Sequence, residues 1–164
     1  MKYEDILEDL QRVLQELKDE NAAVPVIVEG EKDFRALRTL GLEGEIITVN
    51  KGTSLFNFCE QVSRNHKQVI VLTDWDSRGG TLCRRIQEGL TANGARPNLE
   101  YRLRIALLCR KDVKDVEGLP NYLMTLERWT KEQRQVGARQ RTDESLRRAK
   151  ESRERRQRSG EGGR

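Results

Sequence analysis

Histidine is nearly missing from this chain of 164 residues, where His66 stands alone. A lone histidine argues against a His-rich metal site or a Ser-His-Asp triad and points any chemistry to carboxylates. Cysteine is scarce as well. Cys59, Cys83 and Cys109 lie far apart with no Cys-x-x-Cys pair, which argues against a zinc knuckle or a disulfide framework and for a reducing cytoplasm. No apolar run approaches the ~20 residues that cross a bilayer. The opening MKYEDILEDL also lacks the basic-then-apolar order of a signal peptide. The expectation is a cytoplasmic protein with no membrane partner.

What the chain has in quantity is charge, at 35% of residues, beside 35% hydrophobic residues for one modest core. The length suits one ordinary domain with an appendage. The net charge of +4 is unevenly placed. Residues 131–164 hold 12 Lys/Arg against 6 Asp/Glu, which leaves 19 against 21 in the first 130. A slightly acidic domain thus carries a basic tail.

The element pattern starts with Ile6, Leu7, Leu10, Val13, Leu14 and Leu17, an apolar stripe at helical spacing. It predicts an amphipathic helix over residues 1–20, able to pack on the domain or on a second copy as a homodimer. Val24–Val28 is a short β-branched run of the kind found in buried parallel strands. Helical and strand patterns then alternate. Helices are expected over 32–40, 54–64 and 80–90, strands over 45–49, 68–73 and 102–108, and a closing helix over 116–128. This reads as an α/β domain over residues 21–128, with a mainly parallel sheet flanked by helices. Residues 129–164 contain only Val136 and Leu146 as core-type aliphatics and no aromatic after Trp129, too little to fold alone. A disordered segment or a frayed helix is expected there, supported by pairs such as Glu144–Arg148 and Glu151–Arg155.

Functional groups of open α/β sheets gather at the carboxyl ends of the strands. Glu29-Gly30 follows the first strand, and Asp74-Trp75-Asp76-Ser77-Arg78-Gly79 follows the most apolar one. Residues at i and i+2 of an extended segment point to one side, so Asp74 and Asp76 can offer oxygens to one ion. Hard carboxylate ligands of this kind suit Mg²⁺ or Mn²⁺, with water and substrate phosphate filling the shell. If the first and third strands are neighbours, Glu29 faces the same spot. The same residues also fit plainer roles: Asp74 and Asp76 as helix caps, and Glu29 as a solvated charge.

At these positions the sequence resembles the Toprim domain, the module shared by topoisomerases, bacterial-type primases, ribonucleases that mature small rRNA, and recombination mediators. The family pattern is Glu-Gly after the first strand and Asp-x-Asp after the third, here Glu29-Gly30 and Asp74-x-Asp76, with Gly79 continuing it. Gly52 matches the family's glycine after the second strand. The resemblance covers residues 22–126 and is nearest to the small stand-alone members and ribonucleases. It implies a Rossmann-like Toprim fold in which Asp74 and Asp76 hold Mg²⁺, as one ion or two, with Mn²⁺ able to substitute. Glu29 would complete the coordination or exchange a proton with the reacting oxygen. Asp115 and Glu117 stand where primase-like members carry a further acidic pair, and they fit a helix start equally well.

Departures narrow the implied activity. Topoisomerases need a nucleophilic tyrosine on a separate domain, whereas Tyr3, Tyr101 and Tyr122 belong to this one small chain. The zinc-binding domain of primases and the cysteine motif of recombination mediators are missing. Haloacid-dehalogenase-type phosphatases also use Asp-x-Asp, but after their first strand. The expectation is a Mg²⁺-dependent nuclease acting on structured RNA, with nucleic acid, RNA before DNA, as partner. The alternative is a Mg²⁺- and nucleic-acid-binding adaptor without turnover. Lys32, Arg35, Arg78 and Arg84 could steer a polyanion toward the acidic residues, Lys51-Gly52-Thr53 could hold a phosphate at a helix start, and Trp75 is expected to pack.

Overall fold

A computed structural model describes residues 2–109 and 111–160. The chain divides into two compact units, Met1–Leu126 and Glu127–Arg164. In the first, helix α1 (Tyr3–Asn21) precedes strand β1 (Val26–Val28), followed by α2 (Glu31–Thr39), β2 (Ile46–Thr48), α3 (Leu55–Asn65), β3 (Gln68–Val71), α4 (Ser77–Ala92), β4 (Arg96–Asn98) and α5 (Glu100–Cys109). Helix α6 (Leu119–Gly160) begins in this unit, and its later residues make up the described part of the second.

The four strands form one parallel sheet in the order β2-β1-β3-β4. Val26 of β1 pairs with Ile46 of β2 and with Ile70 of β3. Apart from the exposed Gln68 that opens β3, the two central strands are apolar because both of their faces are covered. Ile27, Val69 and Val71 pack with Phe58, Cys59 and Val62 of α3 and with Cys83, Ile86 and Leu90 of α4. Their neighbours Val26, Val28, Ile70 and Leu72 alternate to the opposite face and are fully buried as well. Gly89 lets α3 and α4 close together, since a Cβ there would stand 2.7 Å from Cys59 Sγ.

The stripe of α1 is consumed within the chain. Leu10 and Leu17 are fully buried, and α1 packs beside α5. Arg104 reaches Glu16 at 2.5 Å, and the Tyr101 hydroxyl donates to Glu20 at 2.5 Å. Burial and the adjacent Glu20 carboxylate push the Tyr101 phenol well above its ordinary value.

The fourth strand differs from expectation. Residues 102–108 are not a strand but lie in helix α5, and the fourth strand is the short Arg96–Asn98. The Arg-Leu-Arg-Ile order imitates a period of two, yet the buried positions are Tyr101, Ile105 and Cys109, one side of a helix. Leu, Arg and Ala are also good helix formers. Pro97 is tolerated because β4 is an edge strand bonded only to β3.

The closing helix begins at Leu119 rather than 116 and runs to Gly160. It therefore includes most of the expected tail, whose last residues lie outside those described. Glu144 and Arg148 pair at 2.7 Å, and Glu151 meets Arg147 at 3.3 Å, exposed contacts of about 0.2–0.5 kcal/mol each. No helix among the described residues is long and apolar enough to cross a membrane.

Candidate functional site

The sheet order creates a switch point. From β1 the chain crosses to β2 on one side, and from β3 to β4 on the other, so β1 and β3 lie side by side with connections leading apart. A crevice at the carboxyl ends of two such strands is the usual ligand site of open α/β sheets. Glu29 follows β1, Asp74 follows β3, and the Asp74 amide donates to Glu29 Oε1 at 3.1 Å.

The turn after β3 is fixed from several directions. Asp76 caps α4, its Oδ1 accepting from the Gly79 amide at 2.7 Å, so the helix-cap role is realised here. The Thr73 hydroxyl donates to the Gly79 carbonyl at 2.9 Å. A side chain at Gly79 would collide with the turn, since its Cβ would stand 1.9 Å from the Asp74 carbonyl oxygen. Arg102 of α5 donates from Nε to the Thr73 carbonyl at 3.1 Å and from Nη2 to the Asp74 carbonyl at 2.7 Å. Trp75 donates from Nε1 to the Val113 carbonyl at 2.7 Å and from its amide to the Lys114 carbonyl at 3.0 Å.

Through these bonds the loop carrying Asp115 and Glu117 reaches the site. It follows α5, not a strand, and the Val116 amide donates to Asp74 Oδ1 at 2.9 Å. Asp115 also serves the local turn, accepting from the Gly118 amide at 2.7 Å.

These residues surround a cleft of about 460 Å³. Its walls include Glu29, Asp33, Asp74 and Glu117, with Lys32, Lys51 and Arg78 among them, and Lys32 lies 3.7 Å from Glu117. Asp76 is exposed and does not line it, although its charge is felt by Glu29 and Asp74. Burial raises the Asp74 carboxyl to about 6 against the counter-effect of the Val116 amide, and the charges of Asp33, Asp115 and Asp76 add to the rise. Burial, then the Asp74 charge, raises Glu29. Asp33, which accepts from the Gly30 amide at 3.2 Å, is raised chiefly by burial. The cleft thus crowds carboxylates in each other's field, where a bound cation would relieve the repulsion.

The donor set suits a hard cation. One oxygen each of Glu29, Asp74 and Asp76 accepts a backbone amide, and the second makes no hydrogen bond among the described residues. No three His, Cys, Asp or Glu side chains among the described residues form a ready-made cage. Mg²⁺ does not require one, because it is commonly held by one or two carboxylates with water and substrate phosphate.

Sequence reasoning did not find Asp33 or Arg102 as contributors. Asp33 was given no role of its own, and Arg102 lay in a segment read as a strand. His66 stands 3.2 Å from Glu45 at an ion-pair position.

A UPF0292 protein of Methanosarcina barkeri is 37% identical over 125 residues, 76% of this chain and 87% of that protein. The chain belongs to the UPF0292 family. Another member, from Methanocaldococcus jannaschii, is 35% identical over 75% of this chain and 96% of its own length. No protein-family model matches. Among solved structures, a putative protein from Aquifex aeolicus superposes with a TM-score of 0.55 at 22% identity, covering 65% of this UPF0292 chain and 94% of that one. That likeness bears on the α/β fold alone.

Proposed function

We propose that this UPF0292 protein is a Mg²⁺-dependent member of the Toprim class acting on nucleic-acid phosphodiester bonds, as a nuclease on structured RNA. One observation carries the reading: Glu29 and Asp74 meet at the switch point of the parallel sheet, joined by the Asp74 amide, with Asp76 two residues further along the turn. Glu29, Asp74 and Asp76 would hold Mg²⁺, or Mn²⁺ in its place. The ion would supply Lewis-acid stabilisation of the phosphate in transit and a water activated for attack. As an alternative to coordinating the ion, Glu29, with its carboxyl raised by burial, would exchange a proton with the reacting oxygen. Lys32, Lys51 and Arg78 line the cleft and would hold the substrate's phosphates. The basic helix beyond Lys131 adds sequence-independent attraction for the polyanion. The three thiols are unpaired and buried, as suits a reducing cytoplasm. Pairing of two copies through α1 would have to use its outer face, since Leu10 and Leu17 are buried.

The test is cleavage of a structured RNA in Mg²⁺ by the wild type, Asp74→Ala and Asp76→Ala. Loss of about 10²-fold or more in both variants is expected, the scale on which a positioned catalytic group contributes. Equal cleavage by all three proteins would overturn the assignment. A second reading, an adaptor that binds Mg²⁺ and RNA without turnover, draws on the capping role of Asp76 and the lack of a ready-made cage among the described residues. It predicts binding with no product under any metal.

A further inference from the structure

Helix α4 leads away from the acidic cleft with a different chemistry on its surface. Arg78, Thr81, Leu82 and Arg85 are spaced i, i+3, i+4 and i+7, and so share one face. Arg78 and Leu82 line the acidic cleft. Together with Ser77, Thr81 and Arg85 they also line a second, more open cleft of about 400 Å³. The two cavities therefore meet along this face. The first is crowded with carboxylates, whereas no acid among the described residues lines the second. Neither Arg78 nor Arg85 makes an ion pair among the described residues. Leu82 is half-buried between them, and the Thr81 hydroxyl is already donated to the Ser77 carbonyl at 3.1 Å.

We propose that a single strand of RNA leaves the acidic cleft along this face of α4, its phosphates held by Arg78 and Arg85 and a ribose or base resting on Leu82. This inference rests on the nuclease reading above and assigns the path of its substrate. Arg78 and Arg85 are separated by about 10.5 Å along the helix axis, too far for the single internal phosphate of a dinucleotide to meet both. A dinucleotide in the acidic cleft does not reach Arg85, and a strand of eight nucleotides does. The track thus requires a polymer and gives Arg85 a role that depends on substrate length.

Fluorescence anisotropy with labelled octauridylate and diuridylate, across a KCl series in Mg²⁺, tests the path. Arg85→Ala should weaken octauridylate binding several-fold and flatten its log–log salt slope by about 0.7, the value for one phosphate contact on a single strand. Arg85→Glu should weaken it further. Diuridylate binding should stay at the wild-type level. Arg84, expected from the sequence to steer a polyanion, lines neither cleft and lies off the stripe, so Arg84→Ala should match the wild type. Because Arg84 and Arg85 are both exposed, unchanged thermal melting is expected. Wild-type octauridylate binding by the Arg85 variants would overturn the track. So would equal losses on both oligonucleotides, or equal losses from Arg84→Ala and Arg85→Ala. If these results appear while the wild type still cleaves RNA, only the path is lost. A wild type that neither binds nor cleaves RNA removes the nuclease reading with it.

Discussion

At the scale of single residues, the site is organised around the cost of ionising Asp74. Its carboxyl titrates near 3.8 when unperturbed and is raised to about 6 in the fold. The neutral form is therefore favoured by folding, and this contribution to stability is complete below about pH 3.8. It is lost as pH rises through about 6, because the folded state then holds a proton that the unfolded chain has released. Glu29 and Asp33 are raised in the same direction. Asp74→Asn keeps an oxygen for the Val116 amide and removes the charge. In metal-free buffer the variant should match the wild type at pH 4 and exceed it at pH 7.5, by about 2 kcal/mol once partial exposure is allowed for. Thermal melts at the two pH values check this, and a gap that does not widen with pH would contradict it. Gly79 makes a second residue-scale prediction. A methyl group there must displace the Asp74 carbonyl, so Gly79→Ala should lower stability by about 1–3 kcal/mol. It should weaken Mg²⁺ binding in the same protein, since the turn that moves carries Asp74 and Asp76.

At the scale of elements, three segments distant in sequence converge on the carboxyl end of β3. The β1 turn supplies Glu29, the 111–117 loop supplies the Val116 amide, and α5 supplies Arg102. Arg102 is a positioning residue. It touches the Thr73 and Asp74 carbonyls and fixes where the Asp74 side chain starts. Arg102→Ala should cost about 1.5–3 kcal/mol, the range for hydrogen bonds from a charged donor. A merely structural role would leave the metal affinity of the folded protein unchanged, whereas this account expects weaker Mg²⁺ binding measured well below the melting temperature. Elements also explain what could be read from the sequence. Residues 26–28 and 69–71 are apolar because both sheet faces are covered, which made β1, β3 and the carboxylates after them legible. Arg102–Leu108 was misread because alternating Arg and Leu satisfy a period of two, while only tertiary burial of Tyr101, Ile105 and Cys109 selects the helix. Arg102 was invisible for a related reason: its role consists of contacts with backbone groups 28 and 29 residues away in the turn after β3, and no local pattern encodes them.

At the scale of the whole molecule, charge is divided by function. The folded unit is slightly acidic and concentrates carboxylates at a sheet switch point, while the excess of positive charge lies beyond Lys131. On the proposed reading, the acidic cleft without a cation would repel a polyanion, and the basic residues of the second unit would attract it. A chain ending at Thr130 should therefore bind structured RNA more weakly and with a shallower dependence on salt, because fewer counterions are released. Its Mg²⁺ affinity should remain that of the full chain, as Glu29, Asp74 and Asp76 all lie in the first unit. An unchanged salt slope would assign RNA attraction to the first unit alone. The central claim, that the carboxylates after β1 and β3 form a cation site, is tested most directly by calorimetric titration of Mg²⁺ at pH 7.5 into the wild type, Glu29→Gln and Asp74→Asn. The account predicts saturable binding by the wild type and loss of at least tenfold in affinity in each variant, and equal isotherms for the three folded proteins would contradict it.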